Sequence, residues 1–293
     1  MGAFHPECPQ RVTVIADRLL GAGLLDCMES FEAPAVTAEQ ACRAHARRHW
    51  DTLHAMSPVN ELVTIDPDTF MGPHTLTAAL HSAGAVVQAT DLVLTGGFER
   101  AFCNVRPPGH HAQRGEAMGF CFLNNIAIGV RHALDAHGLQ RVAVLDFDVH
   151  HGNGTEDILA GDSRVLMVST FQRHLYPFSG DVPKAGNMCN VGLPAYSDGD
   201  ALHRAVEDTW LPALREFRPQ MLFVSAGFDA HRDDELSMLG WRDGDYAWVS
   251  RCIVDFARQH CEGRIVSSLE GGYNLPALAR CVDLHVRALL EID

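Results

Sequence analysis

The chain holds no run of about 18 apolar residues, the length a membrane-spanning helix needs. Nor does it open on the short hydrophobic stretch of a secretion signal. Both absences set the expectation of a soluble cytoplasmic protein with no membrane partner. Repeats, low-complexity tracts and Ser/Gly linkers are missing too, so residues 1–293 read as one domain, at the large end for an α/β chain. Positive charge is scarce. Against 37 Asp and Glu stand 23 Lys and Arg, a net charge of -14, which argues against direct nucleic-acid binding through a basic surface. The surplus suits cationic substrates, although a solvated acidic surface is the simpler account. Among nine cysteines there is no Cys-x-x-Cys pair, and Cys103 and Cys121 sit in apolar stretches. That pattern fits buried thiols in a reducing compartment, not a disulfide framework.

What the chain does have is 47% hydrophobic residues, enough for a sizeable core. Their spacing predicts helices over 10–23 and 75–95, the second carrying Leu76, Ala79, Leu80, Ala83, Val86 and Val87 on one face. A strand over 101–105 leads into the loop Pro107-Pro108-Gly109, and an apolar helix over 120–137 ends at Gly138. Alternation follows: strand 141–147, helix 154–160, strand 164–169, an irregular stretch 171–198, helix 199–216, strand 221–226, helix 244–260, strand 264–269 and helix 275–290. Apolar strands alternating with helices predict a three-layer α/β fold, its central sheet mostly parallel and covered by helices on both faces. Such sheets bind ligands beyond the carboxyl ends of their strands.

The unusual polar clusters all follow strands. Strand 141–147 closes on Asp146, Asp148 and His150, alternate positions whose side chains share one face of an extended strand. Carboxylates packed that closely repel unless a cation lies among them. An Asp here can also cap the next helix, and for Asp229 alone that reading is as good. Two carboxylates and one imidazole leave open positions on an ion, the arrangement of a catalytic site rather than a closed structural one. His110 and His111 follow strand 101–105, and neutral imidazole accepts a proton from water and returns it to a leaving group. Asp146 and Asn153 are candidates to orient them. Asp229 follows strand 221–226. Tyr273 follows Gly271-Gly272 after strand 264–269; it is either a packed aromatic or a hydroxyl donating to an oxyanion. Phe120 and Tyr176 are core residues or the walls of an apolar slot. The other histidines, His132, His137 and His231 among them, lack such a setting and read as surface or structural.

Taken together, Arg106-Pro-Pro-Gly-His-His-Ala112, Met118-Gly-Phe-Cys-Phe-Leu-Asn-Asn125, Leu145-Asp-Phe-Asp-Val-His-His-Gly-Asn-Gly-Thr155, Ser225-Ala-Gly-Phe-Asp-Ala230 and Leu269-Glu-Gly-Gly-Tyr-Asn274 resemble the histone deacetylase family. Acetylpolyamine amidohydrolases and acetoin-utilisation proteins are its relatives, and the His-His-Gly-Asn-Gly and Ser-Ala-Gly-Phe-Asp-Ala runs look like its class II branch. The likeness covers nearly the whole chain from His5. It implies the arginase/deacetylase-like fold and a zinc-dependent amidohydrolase that releases acetate from N-acetyl-lysine in proteins or peptides.

Residue by residue, the resemblance implies Asp148, His150 and Asp229 as ligands of a zinc or ferrous ion. His110 and His111 would form the histidine pair, His111 as general base and acid, with Asp146 behind His110 and Asn153 behind His111. Tyr273 would polarise the amide carbonyl. Phe120 and Tyr176 would flank the acyl-lysine tunnel, the Gly119 carbonyl would accept the substrate amide, and Asp68 would grip substrate backbone at the rim. Asp146, Asp148, His150, Ser169 and Thr170 match a structural potassium site; main-chain oxygens of Leu159, Asp162 and Val165 match a second. Leu236, seven residues after Asp229, stands where polyamine-selective relatives often carry glutamate. The family also has about 20 residues, including a sheet strand, ahead of the segment like His5–Arg11, and their absence would leave an open sheet edge. Deacetylation of acetylpolyamines or another small N-acyl amine is the alternative activity. An arginase-like ureohydrolase lacks its further carboxylate here, since Ala230 and His231 follow Asp229. A non-catalytic acyl-lysine binding module is the remote reading, and self-association is left open.

Overall fold

A computed structural model describes residues 1–2 and 4–292. In chain order the elements are α1 (Gln10–Gly21), a 3-10 turn (Leu24–Cys27), α2 (Ala38–Ala41), α3 (Arg47–Met56), β1 (Val63–Thr64), β2 (Phe70–Met71), α4 (Thr75–Thr95) and β3 (Arg100–Cys103). There follow α5 (Asn125–Asp135), β4 (Val142–Asp146), α6 (Asn153–Leu159), β5 (Val165–Gln172) and β6 (Met188–Leu193). Helices α7 (Gly199–Ala205) and α8 (Leu211–Phe217), joined through a π-turn at Val206–Trp210, precede β7 (Met221–Ala226), α9 (Asp243–His260), β8 (Ile265–Leu269) and α10 (Leu275–Leu290).

Six strands form one parallel sheet in the order β3-β8-β7-β4-β5-β6, and β1 pairs antiparallel with β2 apart from it. Strands β4, β5, β7 and β8 are buried throughout, as a sheet covered on both faces requires. Their alternation sorts side chains between two cores. Ala143, Leu145, Leu222 and Val224 join Ile15, Ile253 and Val282 on the face of α1, α9 and α10. Val142, Val144, Met221 and Phe223 join Val86 and Ile126 on the face of α4 and α5. Truncating one such Leu or Ile to Ala would cost about 2–5 kcal/mol.

Four adjacent strands, β3, β8, β7 and β4, carry the four polar clusters at their carboxyl ends. Two expected elements differ. The 120–137 helix begins only at Asn125, because the Asn124 side chain accepts the Ala127 N–H at 2.9 Å and starts the helix there. The stretch 171–198 contains β6, a partly exposed edge strand pairing with β5. Its sequence, Met-Cys-Asn-Val-Gly-Leu, has neither a β-branched run nor a clean alternation.

Candidate active site

Strand β4 ends at Asp146, so Asp148 and His150 lie beyond it, and pleat geometry is not what gathers them. Side chains binding the backbone two residues on do so instead. Asp146 Oδ1 accepts the Asp148 N–H at 3.1 Å, and Asp148 Oδ1 accepts the His150 N–H at 2.9 Å. The chain turns twice, and both carboxylates come inward. Across the rim, Asp148 Oδ2 accepts the Gly271 N–H at 2.8 Å and Asp229 Oδ1 the Val149 N–H at 3.0 Å. His150 Nδ1 then lies 3.0 Å from Asp148 Oδ1 and 3.3 Å from Asp229 Oδ2. A Cβ on Gly271 would come within 2.6 Å of Asp148 Oδ2, so no other residue fits that approach.

Asp148, His150 and Asp229 offer ligand atoms within 4.8 Å of one another. Asp148 and Asp229 are fully buried, no arginine or lysine among the described residues pairs with either, and Asp229 Oδ2 has no hydrogen-bond partner. Burial and then the neighbouring Asp148 push Asp229 up to about 6. Asp148 goes the other way: burial opposes its charge, but His110 and His150 hold it far below the usual carboxylate range. Burial likewise opposes the charge on His150, yet Asp148 and Asp229 raise it to about 10. Buried negative charge met by backbone N–H groups and imidazoles but by no arginine or lysine, with one orphaned oxygen, fits a divalent cation.

The histidine pair lies against this trio, its rings 4.1 Å apart. His110 Nδ1 is 3.1 Å from Asp146 Oδ2 and its Nε2 3.7 Å from Asp148 Oδ1. Burial disfavours its charge, but Asp148 and Asp146 overcome that and lift it to about 10. His111 Nδ1 is 2.7 Å from Asn153 Oδ1. Asn153 turns its Nδ2 to Met118 Sδ at 3.3 Å, so the atom facing His111 is an acceptor. The proton of neutral His111 therefore sits on Nδ1, leaving an Nε2 lone pair. Burial, reinforced by the charges of His110 and His150, drives His111 well below the imidazole range. Glu270, which sequence reasoning passes over, fixes the loop: its Oε2 accepts Gly109 N–H at 2.6 Å and His110 N–H at 3.1 Å. Burial raises Glu270 to about 7.

Tyr273 meets Phe120 edge-on at 5.8 Å, with the Arg11 guanidinium 4.8 Å over its ring. Burial raises its hydroxyl pKa, opposed by Arg11 and reinforced by Asp229 and Asp148. Its backbone is gripped by Asp234, whose Oδ2 accepts the Tyr273 N–H at 2.6 Å and the Asn274 N–H at 3.0 Å. Tyr176 lies 5.1 Å from the His111 ring, its hydroxyl buried without a partner among the described residues. Gly119 and Phe120 both have left-handed backbone, φ 55° and 67°. Phe120 pays for that conformation, and two rim residues hold it: Asp66 Oδ2 accepts Gly119 N–H at 3.2 Å, and Thr69 Oγ1 accepts Phe120 N–H at 2.9 Å. The Gly119 carbonyl accepts the Cys121 thiol at 3.3 Å.

Asp66 also takes the Asp68 and Thr69 amides, while the Asp68 carboxylate accepts no backbone N–H among the described residues and takes the Thr69 hydroxyl at 3.4 Å. Burial and then Asp66 raise Asp68 to about 6. Leu236 is exposed and donates its N–H to Asp234 Oδ1 at 3.1 Å.

Of the potassium candidates, Asp146 and Ser169 are register partners on β4 and β5, with Thr170 next along. No N–H among the described residues donates to the main-chain oxygens of Asp148 or His150. The oxygens of Leu159, Asp162 and Val165 also converge, but on the side-chain nitrogen of Asn187, at 3.1, 3.2 and 3.1 Å. Two further trios gather metal-ligating residue types: Asp91 with His132 and His137, and His231 with Asp243 and Cys281. His132 and His231 are thus buried in hydrogen-bonded clusters, a setting that distant partners in the sequence do not disclose.

This fold and rim define a hydrolase class, and the histone deacetylase domain model matches residues 5–289: the chain belongs to that family. It is 40% identical over 246 residues to the type-2 histone deacetylase 2 of Dictyostelium discoideum, covering 76% of this chain but 14% of that much longer protein. It is 36% identical to the histone deacetylase-like amidohydrolase of Pseudomonas aeruginosa, across 93% of this chain and 73% of the other. The crystal structure of an HDA15 HD domain superposes with a TM-score of 0.92 at 30% identity, over 100% of this chain and 84% of that one.

Proposed function

We propose that the protein is a metal-dependent deacetylase that hydrolyses the N-acetyl-lysine amide of proteins or peptides. The observation that carries this is His111, its Nδ1 2.7 Å from Asn153 Oδ1, beside the ligand trio of Asp148, His150 and Asp229. When bound, zinc or a ferrous ion would polarise the amide carbonyl and acidify water. His111 Nε2 takes the proton as water attacks the carbonyl carbon. His110, kept protonated by Asp146 and Asp148, holds positive charge against the developing anion. Tyr273 donates its hydroxyl to the same oxygen, and burial keeps that hydroxyl protonated. Passing the proton from His111 to the leaving amine breaks the C–N bond and frees acetate.

Phe120 and Tyr176 flank the acyl chain, the Gly119 carbonyl accepts the substrate N–H, and Asp68 grips substrate backbone. Potassium at Asp146, Asp148, His150, Ser169 and Thr170 would brace β4 against β5. Nine cysteines without a disulfide suit a cytoplasmic setting, and among the described residues no helix is long and apolar enough to cross a membrane. The test is deacetylation of an acetyl-lysine peptide and of acetylspermidine side by side. Higher kcat/KM on the peptide is expected, in line with Leu236 at the entrance. Equal or better efficiency on the polyamine overturns the peptide assignment in favour of a small acetylated amine.

A further inference from the structure

We infer that the carbonyl pocket of Leu159, Asp162 and Val165 is closed by the side chain of Asn187 in place of a monovalent cation. Three main-chain oxygens aimed at one point repel one another, and something positive must lie between them. The asparagine nitrogen is 3.1 to 3.2 Å from all three. Its orientation is not arbitrary. On the other side of the amide, Oδ1 accepts the Gly161 N–H at 2.8 Å. A backbone N–H only donates, so the atom facing Gly161 is oxygen and the atom facing the carbonyls is the NH2 group. Its two protons serve three acceptors, one of them shared.

The surroundings also turn a cation away. The one carboxylate at the pocket, Asp162, is already claimed by two guanidiniums: Arg131 Nη1 at 2.5 Å and Arg164 Nη2 at 2.8 Å. Arg131 Nη2 also donates to the Ile158 carbonyl at 2.9 Å. Arg164 also pairs with Asp135 at 3.1 Å, so these carboxylates are already matched by guanidiniums and leave no net negative charge for an ion. A cation would have to expel the amide, break its bonds to the carbonyls and leave the Gly161 N–H unpaired. The Asn187 carbonyl accepts the Met167 N–H at 2.9 Å, so the backbone beneath the side chain is pinned into the sheet. The contrast with Asp146 and Ser169 is chemical. There a buried carboxylate and undonated main-chain oxygens remain; here every acceptor is met by protein N–H. None of these atoms touches the candidate active site, so this inference stands whichever acetylated substrate the protein prefers.

Crystals of the protein soaked in rubidium in place of potassium test it by anomalous scattering, alongside thermal unfolding in choline and in potassium. No rubidium peak is expected among Leu159, Asp162 and Val165 in the natural protein. In Asn187→Gly a peak should appear there. Its Tm in choline should fall by roughly 3–6 °C, and added potassium should restore more of it than it adds to the natural protein. A rubidium peak in the natural protein, with Asn187 turned outward, would overturn the inference, and that measurement stands even if the variant does not fold. So would an Asn187→Gly variant with neither a peak nor an enlarged potassium response, since the pocket would then have no demand for a cation that an amide could replace.

Discussion

Among the described residues three clusters bring histidine and aspartate ligand atoms close enough to hold a metal ion, and one differs from the other two in its chemistry. At Asp148, His150 and Asp229 the carboxylates are fully buried and no guanidinium reaches them. At Asp91 the same oxygen meets His132 Nε2 at 2.7 Å and His137 Nε2 at 2.6 Å, while Arg43 Nη1 lies 2.9 Å from His132 Nδ1. The arginine can only donate, so His132 carries its proton on Nε2 and has no lone pair there for an ion. His231 is arranged alike: its Nδ1 accepts the Asp233 N–H at 3.1 Å, its Nε2 faces Asp243 at 2.8 Å, and Arg280 binds both Asp243 oxygens. Residue types and proximity are the same in all three. What separates the candidate metal trio from the two hydrogen-bonded clusters is whether a guanidinium has already supplied positive charge.

The comparison is sharpest when the metal is taken away. Exhaustive chelation should abolish deacetylation, and readdition of zinc or ferrous iron should restore it, with close to one catalytic ion per chain by elemental analysis. Asp229→Ala should lose that ion, while His132→Ala keeps it; a lower metal content in His132→Ala would erase the distinction drawn between the clusters. His111→Ala should reduce kcat by about 10²–10⁴-fold with the metal still bound. Tyr273→Phe should cost about 10²–10³ in kcat with a smaller effect on KM; unchanged hydrolysis by the metal-loaded variant would remove Tyr273 from the mechanism.

Smaller effects come from the rim. Asp68 is raised to about 6 in the folded protein, so it is neutral below that pH and ionised above it. KM for an acetyl-lysine peptide should therefore fall as pH rises from 5 to 7, and Asp68→Asn should flatten that dependence. The same shift, above the ordinary value of 3.8, means Asp68 favours the folded state at low pH and that this contribution is lost as pH climbs through 6; its partial exposure keeps the effect small. Smallest of all, Arg43→Ala should leave activity unaltered and change stability by less than about 1 kcal/mol, read by urea unfolding.

Strands β4 and β7 are legible in the sequence because burial on both faces demands largely apolar runs, as Met221–Ala226 shows. The rim is legible because polar residues crowd at those strands' ends. What is not legible follows from side chains serving backbone across long sequence gaps. Glu270 holds the His110 loop, Asp66 holds Gly119, and Asp234 holds Tyr273. A carboxylate whose role is to accept amide protons carries no motif of its own. Nor does spacing disclose that Asp148 and His150 turn inward through side-chain bonds rather than through the pleat of a strand.

Residues 270–274 bind three parts of the candidate site at once. Glu270 bonds the histidine loop, Gly271 bonds Asp148, and Tyr273 and Asn274 bond Asp234. From below, Arg11 donates to the Gly272 carbonyl at 2.7 Å and to that of Glu270. The His110 loop, the Asp148 carboxylate and the Tyr273 backbone are thus tied to one short segment. A molecule that wedged this segment aside should silence turnover without occupying the substrate's place, and added substrate should not relieve the inhibition.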